Sequence, residues 1–426
     1  MFRILGKITH FKVLAVLFII AIFYVGSATF PSTIKTVGRY LTDDRADFLS
    51  TKEKINVSYR KMLDFEHSNF KNKGSYVNLN GLMAHIMGQR YMNKRVKLDN
   101  GHLTYIFKKR NATRSAAQMT KLYNKQKEKG KDFLFVLAPI QVPKYEDLLP
   151  AGYTDYSNQN ADDLLGMLDE NGVPTLDLRE AMRNDGIDHS NAFFVTDHHW
   201  KMETGFWAYT KIIERLEEAG EMDPIASMYT DLDEYEIEVY KDYFLGSHGK
   251  RTGSYFAGVD DFSIINPKFE TDMSLEISSI GLNKQGRFAD LSFDYSKLRL
   301  DYFSSNPYGA FSYGNRDMKN YRNSRAPVDL KIMTIGDSFS RVPFAFLTLV
   351  FGTCDQLDMR HYKGDFEEYY SKYDPDVVIV LINPSQIPGK SLTYDYFNDL
   401  QNTDTVPDEP DDTGEGDEEG EEEGDL

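Results

Sequence analysis

KIMTIGDSFSRV, residues 331–342, is the stretch that decides the fold of this chain. Its apolar run predicts a buried strand over 330–335, the turn GDS follows, and an apolar helix is predicted over 342–351. A serine in such a turn lies at the carboxyl end of a strand and at a helix N-terminus, where backbone N–H groups favour developing negative charge. Ser338 is therefore a candidate nucleophile whose own amide contributes to an oxyanion hole. The alternative is that Asp337 or Ser338 only caps the helix.

Helical and apolar strand-like segments alternate on both sides of this stretch. The sequence predicts helices over 112–130, 160–171 and 202–219, and strands over 132–139, 173–178 and 375–382. This alternation is typical of an α/β domain with a mostly parallel sheet flanked by helices. Residues 36–110 are polar and irregular, with strand-like pieces at 75–80 and 103–107. Residues 223–325 are richer in Gly, Ser, Asn and Tyr, which favours an insertion with short strands.

TDHHW, residues 196–200, supplies the groups that a serine nucleophile needs. Serine is a weak nucleophile without a general base, and the base needs an orienting partner. If this segment is extended, Asp197 and His199 lie on the same side of it and His198 points away. Asp197 could then bind one ring nitrogen of His199, while the other ring nitrogen faces Ser338. A polar surface turn and a metal site are the other interpretations. We expect no metal, because the side chains of adjacent histidines diverge and no other Cys, His and Asp cluster has metal-ligand spacing.

The two motifs together resemble the DHHW protein family, relatives of the alginate O-acetyltransferases with a circularly permuted SGNH hydrolase-like domain. The resemblance depends on TDHHW, on GDSFS at 336–340 and on the apolar N-terminus, with weaker matches at 137–150 and 246–258. It implies that Ser338 is the nucleophile, His199 the general base and acid, and Asp197 its orienting partner.

The same resemblance implies an activity, the transfer of acetyl groups to hydroxyls of a cell-surface or secreted polysaccharide through an acetyl-serine intermediate. The implied acetyl donor is a membrane-bound O-acyltransferase partner, and no cofactor is expected. Two alternatives stay open. One is an SGNH-type carbohydrate esterase, and the other is a non-catalytic glycan-binding scaffold of a polymer-export complex.

Further site residues follow from the family pattern. An Asn at the end of a similar strand donates to the oxyanion in that pattern, and here it is Asn383, although a turn residue before Pro384 fits equally. The glycine of the remaining SGNH block has Gly364 as its nearest counterpart, and relatives often carry a Lys where this chain has Gln141. The candidate substrate-binding residues, each of which also fits a structural role, are Arg251, Tyr313 and His198.

Charge and hydropathy divide the chain into three parts. Residues 1–35 contain an unbroken apolar run, Val13 to Val25, after three basic residues, which predicts a single-pass signal anchor with the rest of the chain outside the cytoplasm. Cleavage after Ala28, giving a secreted protein, is the alternative. Residues 36–402 form the predicted domain. The net charge is -17, but thirteen acidic residues lie in the predicted disordered tail 403–426, so nothing suggests a nucleic-acid partner.

Overall fold

The computed structural model describes residues 73–299 and 301–397. The predicted anchor in 1–35 and the predicted acidic tail in 403–426 lie outside these residues, and the predicted domain boundaries stay predictions. Within the two described ranges, no helix combines the length and the apolar character that crossing a bilayer requires.

The described ranges contain thirteen α-helices and thirteen strands, numbered here in chain order. The helices α1 to α13 are Lys73–Ile86, Thr113–Glu128, Ser157–Glu170, Leu178–Asn184, His189–Ala192, Met202–Glu218, Ser247–Thr252, Ser254–Ala257, Phe288–Ser292, Pro307–Ala310, Arg341–Val350, Phe366–Tyr373 and Lys390–Thr393. The strands β1 to β13 are Tyr91–Met92, Arg95–Lys97, Leu103–Thr104, Asp132–Leu137, Thr175–Asp177, Tyr235–Phe244, Asp260–Pro267, Met273–Ile277, Leu282–Gly286, Met318–Asn323, Val328–Gly336, Phe351–Leu357 and Val377–Ile382.

The central sheet has eight strands in the order β5-β4-β13-β11-β12-β10-β8-β9. The first five are parallel to one another, whereas β10, β8 and β9 continue the sheet in antiparallel pairs. The prediction of a mostly parallel sheet therefore needs correction, because the sheet is mixed. Short links suffice for antiparallel neighbours, and β8 joins β9 through the single turn Ser278–Gly281.

Both faces of the parallel part are covered, which explains its continuous apolar strands. In β13, Val377, Ile379 and Leu381 enter one hydrophobic core, and the alternate residues Val378 and Val380 enter the other. Each such buried side chain contributes roughly 1.5–3 kcal/mol to folding. The sheet therefore holds the carboxyl ends of its central strands in fixed positions.

Most predicted elements are confirmed. The helices predicted over 112–130 and 202–219 and the strands predicted over 132–139 and 375–382 are α2, α6, β4 and β13. The short strands expected within 223–325 are present, and three of them, β8, β9 and β10, belong to the central sheet.

The strand-like reading of residues 75–80 was wrong, because this segment lies inside α1. Its alternating pattern is typical of a strand, but tertiary packing outweighs it. A Cβ at Gly81 would overlap the carbonyl oxygen of Thr252, and Ala84 shares a small core with Phe256. A helix brings its small residues at i and i+3 onto one face, and this close approach requires such a face.

The helices that follow the two predicted motifs pack directly against each other. Gly205 in α6 faces Val342 in α11, and a Cβ at Gly205 would lie 2.6 Å from the Cβ of Val342. Because α6 begins just after TDHHW and α11 begins just after GDSFS, this contact holds the starts of the two helices together.

Candidate active site

Ser338 lies in a tight turn between β11 and α11. The turn is a 3-10 helix, Ser338–Ser340, and Asp337 caps it by accepting a hydrogen bond from the amide of Phe339 at 2.8 Å. The other carboxylate oxygen of Asp337 accepts from the backbone amide of Asn383 at 3.0 Å and from its side-chain Nδ2 at 2.7 Å. These bonds tie the serine turn to the end of the neighbouring strand β13.

Asp197 and His199 lie in a closed bend and not in an extended segment. Phe193 and Trp200 form an antiparallel bridge at its base. The buried carboxylate of Asp260 accepts from the amides of Val195 and Thr196, each at 2.8 Å, and from the hydroxyl of Thr196 at 2.6 Å. The expectation of an extended strand is thus corrected. The bend places Asp197 on one ring nitrogen of His199 and turns the other ring nitrogen toward Ser338.

The three predicted side chains form one continuous hydrogen-bonded chain. His199 Nδ1 lies 2.6 Å from Asp197 Oδ1, and His199 Nε2 lies 2.7 Å from Ser338 Oγ. All three residues are at most 6% exposed. Since the carboxylate can only accept, Nδ1 carries the proton in this arrangement, and Nε2 accepts from the serine hydroxyl. The geometry is that of a nucleophile, a base and an orienting acid.

The electrostatics of the pair favour a charged carboxylate and a neutral imidazole. Burial raises the pKa of Asp197, but the charges of His198 and His199, together with hydrogen bonds from His199 and the Ser247 amide, hold that pKa well below its usual range. Burial, together with the charge of His198, lowers the pKa of His199 to about 3, against the opposing effect of Asp197. At neutral pH the imidazole therefore has a lone pair for the serine proton.

Two neighbouring segments fix Asp197 in place. Its second oxygen, Oδ2, accepts a hydrogen bond of 2.6 Å from the amide of Ser247 at the start of α7. This approach requires glycine at the preceding position, since a Cβ on Gly246 would lie 2.6 Å from Asp197 Oδ2. On the other side, Nε2 of the buried Gln141 donates to the carbonyl oxygen of Asp197. Gln141 thus supports the bend.

Tyr308 is a site residue that the sequence did not reveal. Its ring stacks on His199 with centroids 3.9 Å apart and planes 18° from parallel, and its hydroxyl donates to the carbonyl oxygen of Ser338 at 3.1 Å. It lies in the four-residue helix α10, which Asn306 caps. No motif surrounds it, so no sequence signal pointed to it. Asp260 was likewise missed, since it lies far along the chain from the bend that it holds.

His198 packs beside the site instead of pointing away from it, which corrects a second expectation. Its ring centroid is 3.8 Å from that of His199, and its Nδ1 lies 3.1 Å from Ser247 Oγ. Asp197, His198 and His199 each offer one potential metal-ligand atom within 4.8 Å of the others. The two histidines therefore do not diverge as expected. Both ring nitrogens of His199 already have protein partners, so a metal ion would have to displace one of them.

The remaining predicted residues lie at varied positions. Tyr313 is 8% exposed, and its hydroxyl accepts a hydrogen bond from Lys284 Nζ at 2.8 Å. Arg251 lies in α7 and its carbonyl oxygen accepts from Asn93. Asn383 uses one amide hydrogen on Asp337, as described above. The roles of these residues in binding substrate or oxyanion stay predictions.

Comparison with known proteins identifies similar sequences and folds. Residues 101–233 match the family model described as the SGNH hydrolase-like domain of acetyltransferase AlgX. No curated protein sequence matches the chain. Among solved structures, Bacillus cereus PatB1 with a sulfonyl adduct is similar at 18% identity and a TM-score of 0.58, over 71% of this chain and 98% of that one.

A DHHW family protein from Eubacterium siraeum is similar at 15% identity and a TM-score of 0.54, over 71% of this chain and 94% of that one. At these identities the likeness shows the fold. The resemblance predicted from the two motifs is therefore confirmed: this chain has an SGNH-like α/β fold, and its residues 101–233 resemble the SGNH hydrolase-like domain of acetyltransferase AlgX.

Proposed function

We propose that this chain is an O-acetyltransferase that acts on a cell-surface or secreted polysaccharide through an acetyl-serine intermediate. The observation that carries the proposal is the buried hydrogen-bonded chain from Asp197 through His199 to Ser338. The family model matched by residues 101–233 is that of an acetyltransferase, which favours acetyl as the transferred group. A structural scaffold has no need for a nucleophile, a base and an orienting acid that are hydrogen-bonded in this order.

In the first half of the reaction, Ser338 Oγ attacks the carbonyl carbon of the acetyl donor while His199 Nε2 takes the serine proton. Asp197 stabilises the imidazolium that forms. The carbonyl oxygen becomes an oxyanion, for which the Ser338 amide and the second Nδ2 hydrogen of Asn383 are the proposed donors. His199 then gives its proton to the departing group, and the bond between the acetyl carbon and that group breaks.

In the second half, a sugar hydroxyl replaces the departed group. It loses its proton to His199 Nε2 as its oxygen attacks the acetyl carbon, and the proton then returns to Ser338 Oγ as the acetyl-serine bond breaks. Water in place of the sugar would make the same site an esterase. We further propose that the domain lies outside the cytoplasm, anchored through residues 1–35, and that a membrane-bound O-acyltransferase supplies the acetyl group.

The direct test is acetyl release by the purified full chain from an activated acetyl ester such as 4-nitrophenyl acetate. Ser338→Ala and His199→Ala should each lower kcat by roughly 10⁴-fold or more, as expected when one member of such a triad is removed. Ser391→Ala is the matched control, because Ser391 is equally buried but lies in α13, a helix that supplies no residue to the proposed triad. The control should retain wild-type turnover.

Mass spectrometry then identifies the intermediate and the acceptor. The acetyl group, or the adduct of a sulfonyl fluoride, should be found on Ser338 in wild type and on no residue of Ser338→Ala. Transfer to added polysaccharide fragments, in excess over hydrolysis, would establish the transferase. Hydrolysis alone would favour the esterase, and folded variants with wild-type turnover would refute a catalytic role for these residues.

A further inference from the structure

The helix α1, Lys73–Ile86, carries an exposed apolar stripe. Four apolar side chains follow one another at spacings of four, three and one residues, which places them within about 100° of the helix circumference. The last of them continues the helical geometry, because the amide of Met87 donates to the carbonyl oxygen of Met83 at 3.0 Å. The members of the stripe are between 48% and 69% exposed, and they are Leu79, Met83, Ile86 and Met87.

The opposite face of α1 is already packed against the rest of the fold. Ala84 shares a small core with Phe256, and Asn78 Oδ1 accepts a hydrogen bond from the amide of Ser254 at 2.8 Å. These contacts with α8 fix the rotation of α1 about its axis, so the stripe faces outward. Single apolar side chains are ordinary on a protein surface, whereas a continuous exposed stripe of them is typical of an interaction surface.

The segments that form this part of the surface contribute only positive charges. Residues 73–98, which include α1, and residues 243–259, which include α7 and α8, together contain seven Lys or Arg and no Asp or Glu. Asp99, just beyond the first segment, pairs with Arg90 at 2.7 Å. The whole chain has a net charge of -17, so two segments of this length without an acidic residue are unusual in it. Basic residues beside an exposed apolar helix face are typical of helices that lie on anionic lipid surfaces.

The position of α1 in the chain also favours a membrane. It is the first described element after the proposed anchor in residues 1–35, and only residues 36–72 separate the two. A tether of this kind raises the effective concentration of bilayer around α1, so that a weak surface contact is sufficient. A second copy of the chain suits the stripe less well, because a symmetric contact would bring the same basic segments together.

We propose that the stripe of α1 lies on the surface of a lipid bilayer that carries anionic headgroups. The four apolar side chains enter the boundary between headgroups and acyl chains, and the basic residues of the two segments face the headgroups. Because α1 packs on α7, whose Ser247 amide binds Asp197, this contact orients the proposed active site relative to the bilayer. The proposal extends the anchoring through residues 1–35 and does not depend on acyl transfer.

The test measures what surrounds the stripe when the full chain is reconstituted into vesicles of phosphatidylglycerol and phosphatidylcholine. A nitroxide is attached at Met83→Cys, since the native Cys354 is buried and does not react in the folded chain. Power-saturation EPR compares the accessibility of the nitroxide to oxygen, which concentrates in the bilayer, with its accessibility to a water-soluble nickel chelate.

His85→Cys is the matched control, because His85 is exposed on the same helix but lies two residues from Met83, on roughly the opposite side. The ratio of oxygen to nickel accessibility should be at least about fivefold higher at Met83→Cys than at His85→Cys if the stripe enters the bilayer. Ile86→Cys should behave like Met83→Cys, which covers the case in which one variant does not fold.

Several outcomes would overturn the proposal. Equal ratios at Met83→Cys and His85→Cys would show that the stripe meets water, and low accessibility to both reagents would show that protein covers it. Equal ratios in vesicles with and without phosphatidylglycerol would refute the role of anionic headgroups. A chain that does not float with the vesicles would refute the contact and the anchor together, whereas a floating chain with a water-exposed label at Met83→Cys would refute the contact alone.

Discussion

The ring of Tyr308 lies nearly flat on the imidazole of His199, with centroids 3.9 Å apart. The same tyrosine donates from its hydroxyl to the carbonyl oxygen of Ser338. One side chain thus contacts both the proposed base and the residue that bears the proposed nucleophile. Tyr308 is a positioning residue in this arrangement, because it limits the rotation of the imidazole and supports the serine turn.

Removing parts of Tyr308 should separate these two contributions. Tyr308→Phe keeps the stacked ring and loses one hydrogen bond, which is worth about 1 kcal/mol, so kcat should fall roughly fivefold. Tyr308→Leu also loses the stacking, which is worth about another 1 kcal/mol, so its kcat should be lower still. Tyr396→Phe is the control, since it removes a buried hydroxyl bond to Ser391 in the opposite core. Equal kcat values in all three variants would contradict the positioning role.

Gly246 should tolerate no side chain. Its φ is -71°, so alanine meets no backbone strain there, and only the overlap with Asp197 opposes it. We expect Gly246→Ala to lower the free energy of unfolding by about 1–3 kcal/mol and to lower kcat by displacing the carboxylate.

Gly166→Ala is the matched control for this prediction. Gly166 lies inside α3 with nothing within 4 Å of an added Cβ, so alanine should stabilise the helix by roughly 0.5–1 kcal/mol. Thermal or denaturant unfolding and turnover are measured on both variants. Wild-type activity in a folded Gly246→Ala protein would show that Asp197 does not depend on this close approach.

Gln141 should be needed for activity although it contacts neither Ser338 nor the imidazole of His199 in the hydrogen bonds described above. Gln141→Leu leaves the buried carbonyl oxygen of Asp197 without this donor, at a cost of about 1–3 kcal/mol. Gln126→Leu is the control, because Gln126 Nε2 also donates to a backbone carbonyl, that of Asp132, at 2.9 Å. Both variants should lose stability, measured by denaturant unfolding, but only Gln141→Leu should lose turnover. Equal loss of turnover in both would assign Gln141 a purely structural role.

Acidification should destabilise the fold below pH 6.5. Burial lowers the pKa of His189 to about 4, and burial also lowers the pKa values of His199 and His248. The unfolded histidines therefore bind protons at a higher pH than the folded ones, so stability is full above about 6.5 and falls as the pH drops toward 4. Glu221 opposes this trend, because burial raises its pKa to about 7.

Unfolding titrations between pH 7 and 4.5 check this prediction. The slope of the unfolding free energy against pH reports how many protons are taken up on unfolding. His189→Gln should reduce this uptake by close to one proton, which lowers the slope by on the order of 1 kcal/mol per pH unit. The exposed His85 provides the control, since His85→Gln removes a side chain that is solvated in both states. A slope in His189→Gln equal to that of wild type would contradict the prediction.

Local patterns were sufficient for the elements that carry the site. The apolar run before GDS predicted β11, and the helical pattern over 202–219 predicted α6, because burial of one face imposes its period on the sequence. Where the structure of a short segment depends on contacts with distant residues, the local sequence pattern was not sufficient to predict it. Residues 75–80 form a helix because Gly81 must lie against Thr252, and the antiparallel edge of the sheet depends on pairings that no local signal encodes.

The sequence by itself determined the chemical groups, since Asp197, His199 and Ser338 stand in short motifs whose residue types suit acyl transfer. Only the tertiary structure decided that these groups meet. His199 and Ser338 are 139 residues apart in the chain, and their 2.7 Å contact requires the bend held by Asp260 and the packing of Gly205 on Val342. Tyr308 likewise became part of the site only through folding. Hydrogen bonds and close packing between distant segments leave little periodicity in a sequence. These contacts can therefore be identified only in the tertiary structure.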